Sequence, residues 1–279
     1  MPGAAELNRA ILLGEKRGLD KNSRSAMAAA GTIHVFAISG LHVIVVSNVF
    51  AALLFLAGMP ARVVYSLLIP AVWFYVYMVG HSPSAVRAAA MATLYCLAPL
   101  NWRRPDAVVA WAVSFVAVHV FSPDMLFDVS NLLSFAVMLA IAVWLRWGRR
   151  AGGGWKDAFM ISMVAWAASV PITAHCFGRF TAGGLVTNIV ALPAATASIV
   201  SGMLGILASF VSDTVAAHLN AFAAIAVEMV SGVSRVVAAT PLAGGEIAPW
   251  PLPACMAWYL FLLALFLVVK PGRRCSIMV

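Results

Sequence analysis

The chain has 279 residues, of which 63% are hydrophobic and only 10% charged, with a formal net charge of +8. A soluble domain carries about 25% charged residues, so this chain, with a mean hydropathy of +0.96, cannot coat a globule with polar groups. Composition excludes a water-soluble globular protein and points to one embedded in a membrane.

Within lipid every backbone N–H and C=O must bond internally, which leaves helices or a closed barrel. The apolar runs are roughly 17–25 residues long rather than alternating ten-residue strands. They predict an all-α, polytopic transmembrane bundle of about 8–9 spans, some of them broken.

Residues 1–33 read as an extramembrane, basic lead-in with short amphipathic helices in "AELNRAILLGEKRG" and "LDKNSRSAMAAAG", the second stopped by Gly31. It shows no signal-peptide pattern. A transmembrane domain is expected over 34–270, and a short basic tail over 271–279. Apolar runs fall at 34–57, 62–79, 84–100, 106–121, 128–147, 157–175, 183–210, 215–239 and 252–269. The seventh is too long for one straight span, and Pro193 and Gly202 predict a kink or split. The eighth is the weakest, because Glu228 and Arg235 fall in it.

Orientation follows from basic residues in short loops. If all nine runs cross, one face holds Arg62, Arg103, Arg104, Arg146, Arg149, Arg150, Lys156, Lys270, Arg273 and Arg274, ten of the 18 basic residues. The opposite loops hold only Arg179, and the lead-in holds five more. The first face is therefore expected to be cytoplasmic, with the lead-in outside.

Polar residues interrupt the runs near the outer face. In "FAISGLHVIVV" they are Ser39, Gly40 and His42. On a continuous helix, His34, Ser39, His42, Ser47 and Asn48 would scatter around the circumference. A helix broken at Ser39-Gly40 resolves this, its freed backbone lining a cavity. Close packing at Gly40 and a local Ser39 bond are the plainer reading.

"HSPSAVRAAAMAT" opens the third run. Ser82 is a natural N-cap, Pro83 suits the first helical position, and Ser84, Ala88 and Ala92 form a small-residue face. Arg87 sits near a helix N-terminus, where the dipole disfavours a cation. The fifth run brings Asp124, Asp128, Ser130, Asn131 and Ser134. The segment between runs six and seven brings His175, Arg179, Thr187 and Asn188. Together they describe a polar vestibule at one face, with Arg87 and Asp128 expected to pair at its mouth. The bland alternative for Arg87 is snorkelling to the interface.

Four cysteines show no CxxC or zinc spacing and read as small apolar fillers; the six histidines are scattered. No phosphate-binding loop is present. Neither metal nor cofactor is expected, and no catalytic residue.

The ordered stretches "LLGEKRGLD", "HVFAISGLHV", "GHSPSAVRAAAM", "FDVSNLLSFAV" and "FGRFTAGGLVTNIVALP" resemble the membrane domain of the ComEC competence family. The resemblance runs from about Leu12 to Leu267. It implies a channel, or channel subunit, in the bacterial inner membrane for uptake of single-stranded DNA during natural transformation. The family often has Gln where this chain has Leu132, which removes a polar contact there. The OB-fold and metallo-β-lactamase-like modules often found in the family are not seen, so separate DNA-receptor, nuclease and cytoplasmic motor proteins are the expected partners, besides membrane lipids. A homo-oligomer stays open. So do two other readings, a small-solute permease and a non-transforming membrane scaffold.

Overall fold

The computed structural model describes residues 25, 27–35, 39–148, 154–240 and 243–269. The first amphipathic helix expected in the lead-in, most of the second and the basic tail lie outside these residues. Beyond the helical residues 27–29, a helix occupies each of the nine apolar runs. These are α1 (Gly40–Leu56), α2 (Ala61–Met78), α3 (Pro83–Leu100), α4 (Ala107–Phe121), α5 (Val129–Trp147), α6 (Trp155–Phe177), α7 (Gly183–Ala208), α8 (Asp213–Ala238) and α9 (Leu252–Val269). Two short strands, β1 (Arg179–Phe180) and β2 (Gly245–Glu246), pair with each other.

Local chemistry sets the helix ends. The Ser82 hydroxyl accepts the Ala85 N–H at 3.4 Å, and Pro83 stands at the first position. Asp106 accepts from Val108 and Val109 at 2.9 and 3.1 Å. Asp128 accepts from Asn131 at 2.7 Å. Such caps contribute about 1 kcal/mol each. At the other ends, Gly58, Gly80 and Gly178 take positive φ, the left-handed conformation that closes a helix.

Helices α2, α5, α7 and α8, with α6 from Lys156, are long and apolar enough to cross a membrane; α1, α4 and α9 are shorter apolar helices. The protein is an all-α, multi-pass membrane protein. At 26 residues each, α7 and α8 run ~39 Å at 1.5 Å per residue, beyond the ~30 Å of a bilayer core.

Two expectations about continuity meet different outcomes. The first run is not one helix: a 3-10 turn spans Ile33–Val35, Ser39 is extended at φ −118° and ψ 171°, and α1 begins at Gly40. The seventh run is not split. Pro193 lies inside the uninterrupted α7, and Gly202 is buried. Gly202 belongs to the small-residue face, with Thr187, Ala191, Ala195 and Ser198, that lets α8 approach closely. Glu228 and Arg235 sit on the exposed side of α8, which is why that helix persists despite them.

The chain divides into two compact units. The first comprises Met1–Pro105 and Thr181–Gly245, hence α1, α2, α3, α7 and α8. One of its cores joins Met27, Val35 and Val45 to Ala191, Ala195 and Ile199 of α7 and Val227 and Val230 of α8. A second joins Val43 to Val72 and Val76 of α2 and to Ala85 and Ala89 of α3. Helix α1 thus contributes to both.

The second unit comprises Asp106–Phe180 and Glu246–Val279, hence α4, α5, α6 and α9. Trp111, Phe115 and Phe135 cluster between α4 and α5, with the Trp111 indole donating to the Phe135 carbonyl at 2.8 Å. Trp258 and Tyr259 of α9 donate to the Ala167 and Ala168 carbonyls of α6 at 3.0 and 2.9 Å.

Candidate functional site

The ten candidate residues divide between the units. Ser39, Gly40, His42, Ser84, Arg87 and Asn188 belong to the first; Asp128, Asn131, Ser134 and Arg179 belong to the second.

In the first unit the start of α1 is the organising feature. Ser39 is its N-cap, and His42 is the third helical residue. The His42 ring folds back so that Nδ1 accepts the Ser39 N–H at 3.3 Å and lies 3.1 Å from the Ser39 hydroxyl. This is the reciprocal half of a capping box, with an imidazole where Glu or Gln is usual. Because Nδ1 accepts a backbone N–H, the neutral ring carries its proton on Nε2. His42 is fully buried. Three of the polar interruptions, Ser39, Gly40 and His42, therefore share one local job: they start a helix inside an apolar run. Ser47 bonds back to the Val43 carbonyl at 2.6 Å, within its own helix.

Gly40 lets α1 approach α3. A β-carbon there would stand 3.5 Å from the Ala88 methyl, ordinary contact with no spare room. Arg87, beside Ala88 in sequence, is only 5% exposed. A cation held inside a unit of apolar helices, rather than turned to lipid, is costly and marks functional interiors. Ser84 is half-buried, 3.4 Å from Ser82 hydroxyl to hydroxyl.

The start of α7 is held by the residues ahead of α1. The Thr187 hydroxyl lies 2.9 Å from the Ala30 carbonyl and 2.5 Å from that of Gly183. A β-carbon on Gly31, which has φ +74°, would meet the Gly184 Cα at 3.2 Å. Thr32 is fully buried 2.8 Å from Ser234 of α8. Ser234 donates to the Val230 carbonyl, so the Thr32 hydroxyl donates to Ser234. The Asn188 side-chain oxygen is shielded from solvent and has no hydrogen-bond partner among the described residues.

In the second unit Asn131 is the centre. It is 2% exposed, and its amide nitrogen donates to His119 Nε2 and to the Met125 carbonyl, both at 2.8 Å. His119 Nδ1 faces the Phe115 carbonyl at 2.6 Å, so Nδ1 carries the proton. Asp128, expected to pair with Arg87, caps α5 and is exposed. Ser134 is half-buried, and Leu132 is 50% exposed. Arg179 faces Glu246 at 3.7 Å, both well exposed, a pair worth about 0–1 kcal/mol.

The sequence reading passed over His119, Thr32 and Ser234. The 202 residues between Thr32 and Ser234 carry no periodic signal. The Gly183-Gly184 pair opening α7 was the one local hint that another backbone comes close. Among the described residues, no group of three metal-ligating side chains forms.

The sequence pattern of the family described as "Competence protein" matches residues 11–272. ComE operon protein 3 of Bacillus subtilis (strain 168) is 26% identical over 215 residues, 75% of this chain and 28% of its own. An uncharacterised protein of Aquifex aeolicus (strain VF5) is 30% identical over 203 residues, covering 72% of this chain and 47% of that one. Competence protein ComA of Neisseria gonorrhoeae is 28% identical over 204 residues, 67% of this chain and 28% of its own. The chain thus spans between about a quarter and a half of the length of these relatives. No solved structure matches it.

Proposed function

This chain belongs to the competence protein family, and from that premise we propose that it is a channel, or a channel subunit, for single-stranded DNA in the bacterial inner membrane. The observation that carries the reading is the buried Arg87, on a helix that meets α1 where α1 begins. A strand crossing a membrane needs water, backbone dipoles and sparse cations. A strongly cationic tube would trap a polyanion, whereas weak, repeated contacts let it move. Within the first unit, Arg87 supplies the cation, and Ser84 and Asn188 supply neutral polar groups. Gly40 keeps α1 close to α3.

The reading places the loops carrying Arg62, Arg103 and Arg104 in the cytoplasm. It assigns DNA reception, strand degradation and motor force to separate partners or to further segments.

The test separates binding from import. The full chain is expressed in a transformable bacterium lacking its own channel, and surface-bound and nuclease-protected labelled DNA are counted separately. Protected DNA that depends on this chain, with unchanged surface DNA, supports the reading. Uptake of a small solute without DNA would favour a permease.

A further inference from the structure

Helix α3 ends in an unusual way. The Arg103 N–H bonds the Ala98 carbonyl at 2.8 Å and the Trp102 N–H bonds that of Pro99 at 3.2 Å. This is the Schellman closure, whose pivotal residue takes left-handed φ. Helices α1 and α2 close with the same bonds, around Gly58 (φ +76°) and Gly80 (φ +77°). At α3 the pivot is Trp102, at φ 56°. A residue with a β-carbon is less stable there than glycine. The α2 turn also carries a left-handed non-glycine residue, His81 at φ 54°, but beside the pivot Gly80; of the three pivots only that of α3 is not glycine, which points to a use for the side chain.

The surroundings of the ring say what that use is. Trp102 is 84% exposed. The Arg62 guanidinium lies over one face, 4.2 Å from the ring centroid. Arg103 and Arg104 follow directly and are exposed. Among the described residues no acid is ion-paired with these three arginines, and Asp106, two residues on, is held by Arg146 at 2.8 Å. An exposed ring with a cation on one side and two arginines beside it accepts a planar base on its open face and phosphates around it. A ring serving only as an interfacial anchor needs no strained turn, since any lipid-facing helical position holds one.

We propose that Trp102, with Arg62, Arg103 and Arg104, forms a stacking platform for single-stranded nucleic acid at the end of α3. The proposal rests on the channel reading for its purpose, meeting the strand as it emerges at the cytoplasmic face.

The test reads binding alone. The full chain in nanodiscs of neutral lipid is titrated with a short labelled oligo-dT and with an abasic strand of equal length. Trp102→Gly installs the residue that α1 and α2 use, so the helix end is preserved; thermal unfolding checks this. Trp102→Gly is expected to weaken oligo-dT binding about tenfold and leave the abasic strand unchanged. Trp102→Phe should retain most of the affinity. Arg62→Ala should weaken both strands. Equal oligo-dT binding by the native protein and Trp102→Gly would overturn the platform. So would an effect of Trp102→Gly confined to nanodiscs of anionic lipid, which would make the cluster a headgroup anchor. Because no transport is measured, failure of the channel reading in cells leaves this result interpretable, and the reverse holds too.

Discussion

Gly31 and Gly184 face each other where the residues ahead of α1 cross the start of α7, yet they should respond very differently to the same methyl group. At Gly31, φ is +74° and a β-carbon would stand 3.2 Å from the Gly184 Cα. Left-handed backbone costs a non-glycine residue roughly 1–2 kcal/mol. Overpacking against backbone that cannot swing away adds about 1–3 kcal/mol. Gly31→Ala should therefore lose roughly 2–5 kcal/mol, near the upper part of what single substitutions do. At Gly184 the added carbon would meet the Ala30 oxygen and the Gly31 Cα, both at 3.8 Å, which is ordinary contact. Alanine also suits a helix better than glycine, by up to about 1 kcal/mol, so Gly184→Ala should be neutral or slightly stabilising. Denaturant unfolding of both purified variants in mixed micelles compares them directly. Equal losses, or a stable Gly31→Ala, would refute the argument that this crossing fixes the first unit.

Similar reasoning gives further outcomes. Gly40→Ala should insert and fold normally, because its β-carbon fits at 3.5 Å from Ala88, whereas Gly40→Leu should lose about 1–3 kcal/mol and abolish DNA uptake; membrane abundance and nuclease-protected DNA report the two. Thr32→Val should cost about 1–3 kcal/mol by removing the buried donor to Ser234, read by unfolding in micelles. Asn131→Asp should be worse than Asn131→Leu, since it turns an acceptor toward His119 Nε2 and the Met125 carbonyl; relative folded yield at neutral pH checks the order. Arg87→Lys should keep more folded protein than Arg87→Ala yet recover only part of DNA uptake, because lysine lacks the bidentate fork.

Much of the fold was legible because lipid leaves the backbone few options. Apolar length located a helix in each of the nine runs, and Ser82 and Pro83 behave at a helix start as their chemistry dictates. The Ser39-Gly40 interruption was also readable, since polar groups scattered around a continuous helix made no physical sense. The split expected at Pro193 is absent because one missing hydrogen bond is tolerated when α8 supports α7 along a small-residue face. The candidate site was less legible. Arg87 and Asn131 stood out as polar residues in apolar runs, but their depth depends on neighbours far away in sequence. Thr32 with Ser234, and His119 with Asn131, are contacts that periodicity does not encode. Asp128 reads as a counter-charge for Arg87, and its carboxylate also caps the start of α5.

The most direct test of the central claim drives the polyanion without a motor. The purified full chain is placed in liposomes with an inside-positive potential, and labelled oligonucleotides that survive external nuclease are counted. The account predicts protection of single strands but not of duplexes, lost in Gly40→Leu protein that still inserts and folds. No protection above empty liposomes, or equal protection with Gly40→Leu, would contradict it.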